Sequence, residues 1–172
     1  MSNLRYNKIR KMDISNGEGV RVSIFVQGCE FHCKNCFNTE TWDFQGGKEF
    51  TEETLKTLLD LCDKDYIEGL SILGGEPMHP ANRATVVDIM RAFKFRFPNK
   101  NIWMWTGYTL ESLLKQNDDD VKSMLIYLDY LIDGQFVDEK KNLKLKFAGS
   151  DNQRCINIQE SMKQGHIVEK DM

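Results

Sequence analysis

Residues 20–36 read VRVSIFVQGCEFHCKNC, and this stretch decides which fold the sequence predicts. Its first eight residues are mostly apolar and β-branched, which predicts a buried strand that ends at Gly28. Three cysteines, Cys29, Cys33 and Cys36, follow that strand within eight residues. The sequence therefore places a tight group of thiols at the carboxyl end of a buried strand.

Strands and helices alternate along the rest of the chain. Short apolar runs bounded by turn residues predict further strands, and apolar residues at helical spacing predict the helices between them. Such alternation is typical of βαβ units in a parallel sheet. The predicted strands are residues 70–73, 102–105, 127–132, 143–147 and 155–158; the predicted helices begin after Thr51, after Asn82 and near Thr109, and residues 117–120 are predicted as a solvated turn.

We predict an α/β fold whose parallel strands form an incomplete, splayed β/α barrel. A closed eight-stranded barrel takes about 250 residues, and this chain has 172. One domain is predicted over residues 1–172, with a core over about residues 12–158 and a polar tail over residues 159–172. Functional loops gather at the carboxyl ends of parallel strands. Here those ends carry Gly28-Cys29, Gly74-Gly75-Glu76, Thr106-Gly107 and Asp133-Gly134, which we expect along one rim.

Composition and charge exclude several classes of protein. Apolar residues make up 41% of the chain and charged residues 28%, as in ordinary globular proteins. The formal net charge of −3 gives no reason to expect nucleic acid as a partner. No run approaches the roughly 20 apolar residues of a membrane span, and the N-terminus lacks the apolar segment of a secretory signal. We therefore expect a cytoplasmic protein with no nucleic-acid or membrane partner.

The five cysteines favour a metal site over a disulfide framework, since their number is odd and no secretory signal precedes them. Three closely spaced thiolates suit a [4Fe–4S] cluster and leave its fourth iron open to an outside ligand. Zinc held by the three cysteines and His32 is the rival ligand set, which spacing disfavours without excluding it. Cys62 and Cys155 lie in predicted apolar elements, so both are expected in the core.

The cysteine spacing, Cys-x3-Cys-x2-Cys after the first strand, resembles the cluster motif of the radical S-adenosylmethionine (SAM) superfamily. That superfamily often has an aromatic residue just before the last cysteine, where this chain has Asn35. Phe37 follows Cys36 instead, as in a subgroup whose loop ends Cys-aromatic-Asn. Over about residues 12–158 the chain resembles the activating proteins of the anaerobic (class III) ribonucleoside-triphosphate reductase. The matching segments are residues 16–21, 74–80, 105–108, 133–136 and 149–154.

The resemblance implies an oxidoreductase that activates a glycyl-radical enzyme. An electron from the cluster would cleave SAM to a 5′-deoxyadenosyl radical, which would abstract hydrogen from a C-terminal glycine of the reductase large subunit. A donor such as flavodoxin would supply the electron. The implied site residues are Cys29, Cys33 and Cys36 as cluster ligands, with Asn35, Cys36, Phe37, Gly74, Gly75, Glu76, Thr106 and Asp133 as cofactor-binding residues.

Residue chemistry supports some of these roles independently. Gly74 and Gly75 would let backbone approach a ligand closely. Glu76 could accept a charge-assisted hydrogen bond from the ammonium group of SAM. Thr106 and Asp133 are weaker candidates for contacts to the ribose or adenine, because Asp-Gly after a strand is most often a turn.

Two other functions stay open at the level of sequence. One is an activase of another glycyl-radical enzyme, of the pyruvate formate-lyase type. Such activases resemble this chain in the cluster loop, but they are generally longer and lack its Trp-Thr-Gly-Tyr and Asn-Gln-Arg segments. The other is a non-catalytic zinc or iron–sulfur binding module. Residues 152–154, Asn-Gln-Arg, could dock the partner or hold the end of the sheet, and the sequence does not choose between these roles.

Overall fold

The computed structural model describes residues 4–172, which form a mixed α/β structure on one seven-stranded sheet. No helix among these residues is long and apolar enough to span a membrane. The strands are β1 (Arg5–Asp13), β2 (Arg21–Val26), β3 (Lys48–Glu49), β4 (Gly69–Gly74), β5 (Asn101–Trp105), β6 (Tyr130–Asp133) and β7 (Arg154–Asn157). The helices are α1 (Glu52–Cys62), α2 (Pro80–Arg96), α3 (Leu110–Lys115), α4 (Asp119–Tyr127) and α5 (Ile158–Gln164).

The four central strands of the sheet are parallel, as predicted. The strand order is β3-β1-β2-β4-β5-β6-β7, in which β2, β4, β5 and β6 run parallel to one another. The prediction of parallel strands is wrong for β7, which pairs with β6 in the antiparallel sense, as β1 does with β2 and β3. Within residues 4–172, β3 and β7 are the outer strands, so the described sheet is not closed.

Three further predictions about the elements need correction. Residues 143–147 form no strand: Leu143 is 83% exposed, whereas Phe147 packs against Trp103 with ring centroids 4.9 Å apart. Strand β1 was not predicted, because its many charged residues obscure the apolar alternation. Part of the predicted turn at residues 117–120 begins helix α4, whose N-cap Asp118 accepts a hydrogen bond from Val121 N at 3.0 Å. That helix continues into the region predicted as the start of β6.

Helix α2 begins before the predicted cap. His79, not Asn82, is the N-cap residue, and its Nδ1 accepts a hydrogen bond from Ala81 N at 3.0 Å. Asn82 is buried in the first turn, where its side chain donates to Gln27 O at 3.3 Å and to Glu76 O at 2.9 Å. Asn82 therefore ties the start of α2 to the loops that follow β2 and β4. The helix starts predicted after Thr51 and near Thr109 are confirmed, and both threonines are N-cap residues.

The two faces of the sheet differ in what covers them. Because side chains alternate along a strand, Ile72 and Met104 point to one face, where they join a core shared with α1 to α4. Leu73 and Trp105 point to the opposite face, which carries a cavity. The helices therefore stabilise the sheet from one side and leave the other side available for a site.

The polar segment after residue 157 packs against the outer strand β7. Helix α5 ends at Gly165, whose φ of 77° is left-handed. Glu169 then forms an antiparallel bridge with Ile156, and Lys170 N donates to Cys155 O at 2.7 Å. These bonds cover part of an edge that would otherwise present unpaired backbone groups.

Candidate metal and cofactor site

The carboxyl ends of the central strands meet around one cavity of about 480 Å³. It opens on the face of the sheet opposite the helices. The cysteine loop, the loop after β4 and the loop after β5 all contribute to its wall, as the strand order predicts. The predicted site residues that line it are Cys29, Cys33, Cys36, Phe37, Gly74, Gly75, Glu76 and Thr106, whereas Asn35 and Asp133 lie beside it.

Backbone hydrogen bonds shape the cysteine loop. Cys29 N donates to Trp42 O at 3.1 Å, which fixes the first residue after the strand end. Cys36 N donates to Cys33 O at 3.1 Å, which closes a turn between the last two cysteines. These bonds keep all three thiols on the wall of one cavity.

The thiols of the cysteine loop are better suited to coordinating a metal than to acting as reactive nucleophiles. All five cysteines are free. Burial raises the pKa of the Cys29 thiol to about 11, and it also raises the pKa of Cys33, with a further contribution from Cys36. Reactive thiols need a lowered pKa, whereas a bound metal deprotonates its sulfur ligands outright. Cysteine thiolates are the usual ligands of iron–sulfur clusters, so three thiols on the wall of one cavity fit such a group.

His32 is not placed to complete a zinc site with the cysteines. Its ring stacks on Trp42 with centroids 4.4 Å apart and an interplanar angle of 12°. Within residues 4–172, no three side chains of His, Cys, Asp or Glu surround one position for a single metal ion. A [4Fe–4S] cluster is larger than an ion and takes thiols spread along one wall, which is the arrangement around this cavity.

Gly74 and Gly75 are required by the packing of neighbouring strand ends. Gly74 has a φ of +116°, a conformation that favours glycine. A Cβ on Gly75 would lie 2.6 Å from Gly28 O and 2.8 Å from Thr41 O, so a side chain would displace the backbone at the base of the cysteine loop. Both residues also line the cavity. Glycine is needed here for packing, independently of any close approach by a ligand.

Glu76 joins the loops that follow β4 and β5. Its side chain is buried, and its carboxylate accepts hydrogen bonds from Gly107 N at 2.7 Å, Thr106 Oγ1 at 2.7 Å and Met78 N at 2.8 Å. Burial raises the pKa of this carboxyl to about 7 against the opposing effect of these hydrogen bonds. Glu76 and Thr106, predicted as separate contacts, therefore form one hydrogen-bonded unit.

Asp133 lies beside the cavity in an ion-pair network. Its carboxylate is buried, and it accepts hydrogen bonds from Arg154 Nη2 at 2.5 Å and from Leu110 N at 2.8 Å. Arg154 also contacts both carboxylate oxygens of Glu111, at 2.6 and 3.1 Å, and these bonds lower the pKa of Glu111 to about 2. The network fixes the end of β6 to the start of α3. In the structure the carboxylate of Asp133 is thus engaged by the protein itself.

A second segment, residues 135–141, contacts the outer side of the cysteine loop. Asn35 has a left-handed φ of 56°, and its Nδ2 donates to Asp138 Oδ2 at 3.0 Å. The rings of Phe37 and Phe136 lie 5.0 Å apart, although Phe37 remains 58% exposed. Asn35 and Phe37 therefore connect the cysteine loop to this segment.

Residues 152–154, whose role the sequence left open, hold loops together at the end of the sheet. Gln153 Oε1 accepts hydrogen bonds from Gly149 N at 2.8 Å and Ser150 N at 3.1 Å, and its Nε2 donates to Gly134 O at 3.0 Å. Two loops that line the cavity are thereby joined by one side chain. Sequence reasoning also missed the cavity residues Arg10, Phe25, Lys146 and Phe147, none of which belongs to a recognisable motif.

The remaining cysteines lie away from the cavity. Cys62 and Cys155 are fully buried, as the sequence predicted. Burial raises the pKa of each thiol to about 12, which makes both inert at neutral pH. They provide matched controls for substitutions in the cysteine loop.

Known proteins resemble the chain over most of its length. The family model of the 4Fe-4S single cluster domain matches residues 15–156. The anaerobic ribonucleoside-triphosphate reductase-activating protein of Vibrio cholerae is 41% identical over 152 residues, which cover 87% of this chain and 96% of the relative. The chain belongs to this family of activating proteins. Members from Enterobacteria phage T4 and Escherichia coli K12 are 42% and 32% identical, covering 88% and 87% of this chain and 92% and 96% of the relatives.

Proposed function

We propose that this chain is a radical SAM enzyme that activates the anaerobic ribonucleoside-triphosphate reductase by forming a glycyl radical on its large subunit. One observation carries the proposal: Cys29, Cys33 and Cys36 share a cavity with Gly74 and Gly75 at the carboxyl ends of parallel strands. Membership of the family of activating proteins and the match to a 4Fe-4S domain support it.

The cysteines Cys29, Cys33 and Cys36 are proposed to hold three irons of a [4Fe–4S] cluster. When bound, the cluster supplies the electron for the reductive cleavage of SAM, and the chemistry belongs to the two cofactors. The chain supplies the thiolates and the apolar walls of the cavity. It also leaves one side of the proposed cluster open toward the cavity. Trp105 and Phe147 contribute those apolar walls and exclude water from the sheet side of the cavity only.

The loops after β4 and β5 are proposed to bind SAM. Gly74 and Gly75 present backbone groups to the cavity. Glu76 Oε1 accepts a hydrogen bond from Gly107 N, and it retains a lone pair that could receive the ammonium group of SAM. Thr106 orients the carboxylate of Glu76 in this arrangement.

Three predicted cofactor-binding residues are proposed to act at the edge of the cavity, which Phe37 lines and beside which Asn35 and Asp133 lie. Asn35 and Phe37 shape the cysteine loop through their contacts with residues 135–141. Asp133 lies next to Gly134, which lines the cavity, so a contact to the ribose would require its carboxylate to be shared with Arg154. These three roles are proposed because the residues lie close to the cavity at the carboxyl ends of the strands.

The wider context of the reaction is also proposed. The open sheet corresponds to part of a β/α barrel of the radical SAM type, with the cavity on its inner face. An electron donor such as flavodoxin would reduce the cluster, in the cytoplasm. The absence of a closed wall leaves room for a protein segment to approach the cavity.

Electron paramagnetic resonance tests the proposed function. The anaerobically reconstituted protein is mixed with reductant, SAM and the reductase, and we expect a glycyl-radical doublet in the reductase. A reductase in which the C-terminal glycine is replaced by alanine should give no doublet. A colourless protein that holds zinc would contradict the proposal, as would a doublet formed in pyruvate formate-lyase but not in the reductase.

A further inference from the structure

Two segments of the chain flank the mouth of the cavity. Residues 8–16 comprise most of β1 and the turn after it, and residues 138–148 form the loop before β7. Both contribute to the cavity wall, the first through Arg10 and Asn16 and the second through Lys146. We call these two segments together the mouth surface.

The mouth surface is cationic in a chain that is otherwise acidic. It carries seven Lys and Arg residues against three Asp and Glu residues, a net charge of +4. Because the whole chain has a formal charge of −3, the remaining residues carry −7. The cations are Lys8, Arg10, Lys11, Lys140, Lys141, Lys144 and Lys146.

The carboxylates of the mouth surface are already engaged by the protein. Asp13 is buried, and its carboxylate accepts hydrogen bonds from Ser23 Oγ at 2.6 Å and Asn16 Nδ2 at 2.7 Å. Asp138 accepts from Asn35 at 3.0 Å, and the exposed Glu139 pairs with Lys34 at 3.8 Å. Lys11, Lys140, Lys144 and Lys146, in contrast, are exposed and form no ion pair with any residue from 4 to 172. The positive charge of this surface is therefore available to a partner.

Large apolar side chains are exposed on the same two segments. Met12 is 65% exposed, Ile14 is 76% exposed and Leu143 is 83% exposed. Exposed apolar residues among available charges are typical of surfaces that bind another protein. Burying these side chains would stabilise a complex, and the lysines would set its orientation and speed of association.

We propose that the mouth surface docks an acidic segment of the protein substrate, with the apolar residues Met12, Ile14 and Leu143 as anchors. This inference rests on the proposed function, since the substrate it commits to is the reductase. The location supports that choice, because the surface is continuous with the cavity that the cysteines line. A segment bound there would lead directly into the cavity.

The structure favours a protein over nucleic acid as the occupant. A nucleic-acid strand would meet only the charged part of the mouth surface, through its phosphates. Its phosphates would also leave three large apolar side chains exposed to solvent. An acidic protein segment with apolar residues satisfies both parts of the surface.

Charge reversal on both segments tests the docking surface. The double variant Lys11→Glu/Lys144→Glu changes one exposed lysine from each segment, and neither residue lines the cavity. The dissociation constant for the reductase is measured anaerobically, with SAM present, over a series of salt concentrations. We expect binding to weaken by about tenfold and to lose much of its salt dependence. Iron content and slow SAM cleavage by the isolated protein should stay unchanged.

A matched control and an apolar variant separate the two contributions. The control, Lys115→Glu/Lys122→Glu, makes the same change of charge on α3 and α4, and we expect less than about a twofold effect. Leu143→Ser should weaken binding of the reductase at every salt concentration without altering the slope, because it removes an anchor and no charge.

The outcomes distinguish this inference from the proposed function. If the wild-type protein radicalises the reductase and Lys11→Glu/Lys144→Glu binds it with unchanged affinity and salt dependence, the docking inference is overturned. If the wild-type protein forms no glycyl radical, the proposed function itself fails. Binding of a labelled single-stranded oligonucleotide, lost only in the mouth variant, would assign the surface to nucleic acid. Self-association in sedimentation, lost in that variant, would assign it to a second copy of the chain.

Discussion

At the scale of single residues, Glu76 connects two loops of the site through one carboxylate. It accepts hydrogen bonds from the loop after β5, through Gly107 and Thr106, and from Met78 in its own loop. Its burial opposes ionisation, and its pKa rises from 4.5 to about 7. The loops of the candidate site are therefore joined by a group that changes charge close to neutral pH.

Substituting Glu76 by glutamine should change how stability depends on pH. A carboxyl whose pKa is raised on folding stabilises the fold most below its unfolded pKa of 4.5, and this contribution is lost as the pH rises to about 7. The loss is at most about 1.4 kcal/mol per pH unit for one group. Glu76→Gln lacks this titration, so the stability of the variant relative to wild type should increase between pH 4.5 and pH 7.

Urea unfolding of the metal-free proteins, measured from pH 4.5 to pH 8, gives this difference directly. Other titrating groups are common to both proteins and cancel in the comparison. Parallel curves for wild type and Glu76→Gln over the whole range would show that the carboxyl does not titrate as the burial of Glu76 implies.

The cysteines divide into two groups that should respond differently to alanine. Cys29→Ala, Cys33→Ala and Cys36→Ala each remove a proposed ligand, so we expect loss of iron and of SAM cleavage. Cys62→Ala and Cys155→Ala remove buried thiols from the core. They should keep the cluster while costing about 1–2 kcal/mol of stability. Iron content and visible absorption after anaerobic reconstitution would measure the difference, and iron loss in Cys62→Ala with retention in Cys33→Ala would reverse the assignment.

At the scale of elements, the wall of the cavity depends on ties between loops. Gln153, which directly precedes β7, joins the Gly134 loop to the turn at Gly149 and Ser150. Arg154 anchors the same strand end to Asp133. The antiparallel strand β7 therefore contributes to the site by holding loops that line it.

Replacing Gln153 by methionine should loosen that wall. The amides of Gly149 and Ser150 lose their acceptor in Gln153→Met, and we expect their hydrogen exchange to accelerate by about tenfold or more. Gln153→Glu keeps the acceptor and loses the donor to Gly134 O, so exchange at Gly149 and Ser150 should stay slow.

A matched glutamine provides the control for this experiment. Gln159 also bonds backbone, donating to Leu125 O and Leu128 O, at a place remote from the cavity. Gln159→Met should leave exchange at Gly149 unchanged. If the amide of Gly149 exchanged equally faster in Gln159→Met and in Gln153→Met, the exchange would report general destabilisation and not the loss of the local hydrogen bonds of Gln153.

The elements also show how far sequence reasoning reaches. The central strands were predictable, because β2 and β4 are buried on both faces and read as continuous apolar runs. Strand β1 was not, since it is half-buried and only the two-residue strand β3 covers its outer side, which allows many charged residues. The apolar alternation at residues 143–147 was misleading, because Leu143 is exposed on the mouth surface.

The candidate site was predictable in part for the same physical reason. The carboxyl ends of parallel strands meet, so residues as distant as Cys29 and Thr106 were expected to share a rim. Side-chain partners could not be predicted, because they depend on loop conformation. The sequence offered Asp133 as a weaker candidate for a contact to the ribose or adenine, and it gave no sign of the pairing with Arg154 that the structure shows.

At the scale of the whole molecule, the sheet is open where the cavity lies. The outer strands of the described sheet, β3 and β7, do not pair with each other. A cavity of about 480 Å³ therefore faces a gap bordered by the mouth surface. An enzyme acting on a small molecule usually encloses its substrate, so the open side of the cavity favours the proposed protein substrate.

Coupling between SAM cleavage and radical formation should therefore depend on the reductase. We expect the isolated protein, reduced and supplied with SAM, to release 5′-deoxyadenosine slowly and without a stable radical, because water and buffer reach the open cavity. Addition of the reductase should accelerate cleavage by about tenfold or more, because a bound segment excludes solvent and presents the glycine. Chromatography of 5′-deoxyadenosine and spin counting of the glycyl doublet in the same sample give the ratio of the two products. Efficient turnover of a small metabolite, with cleavage unaffected by the reductase, would contradict an open site completed by a protein substrate.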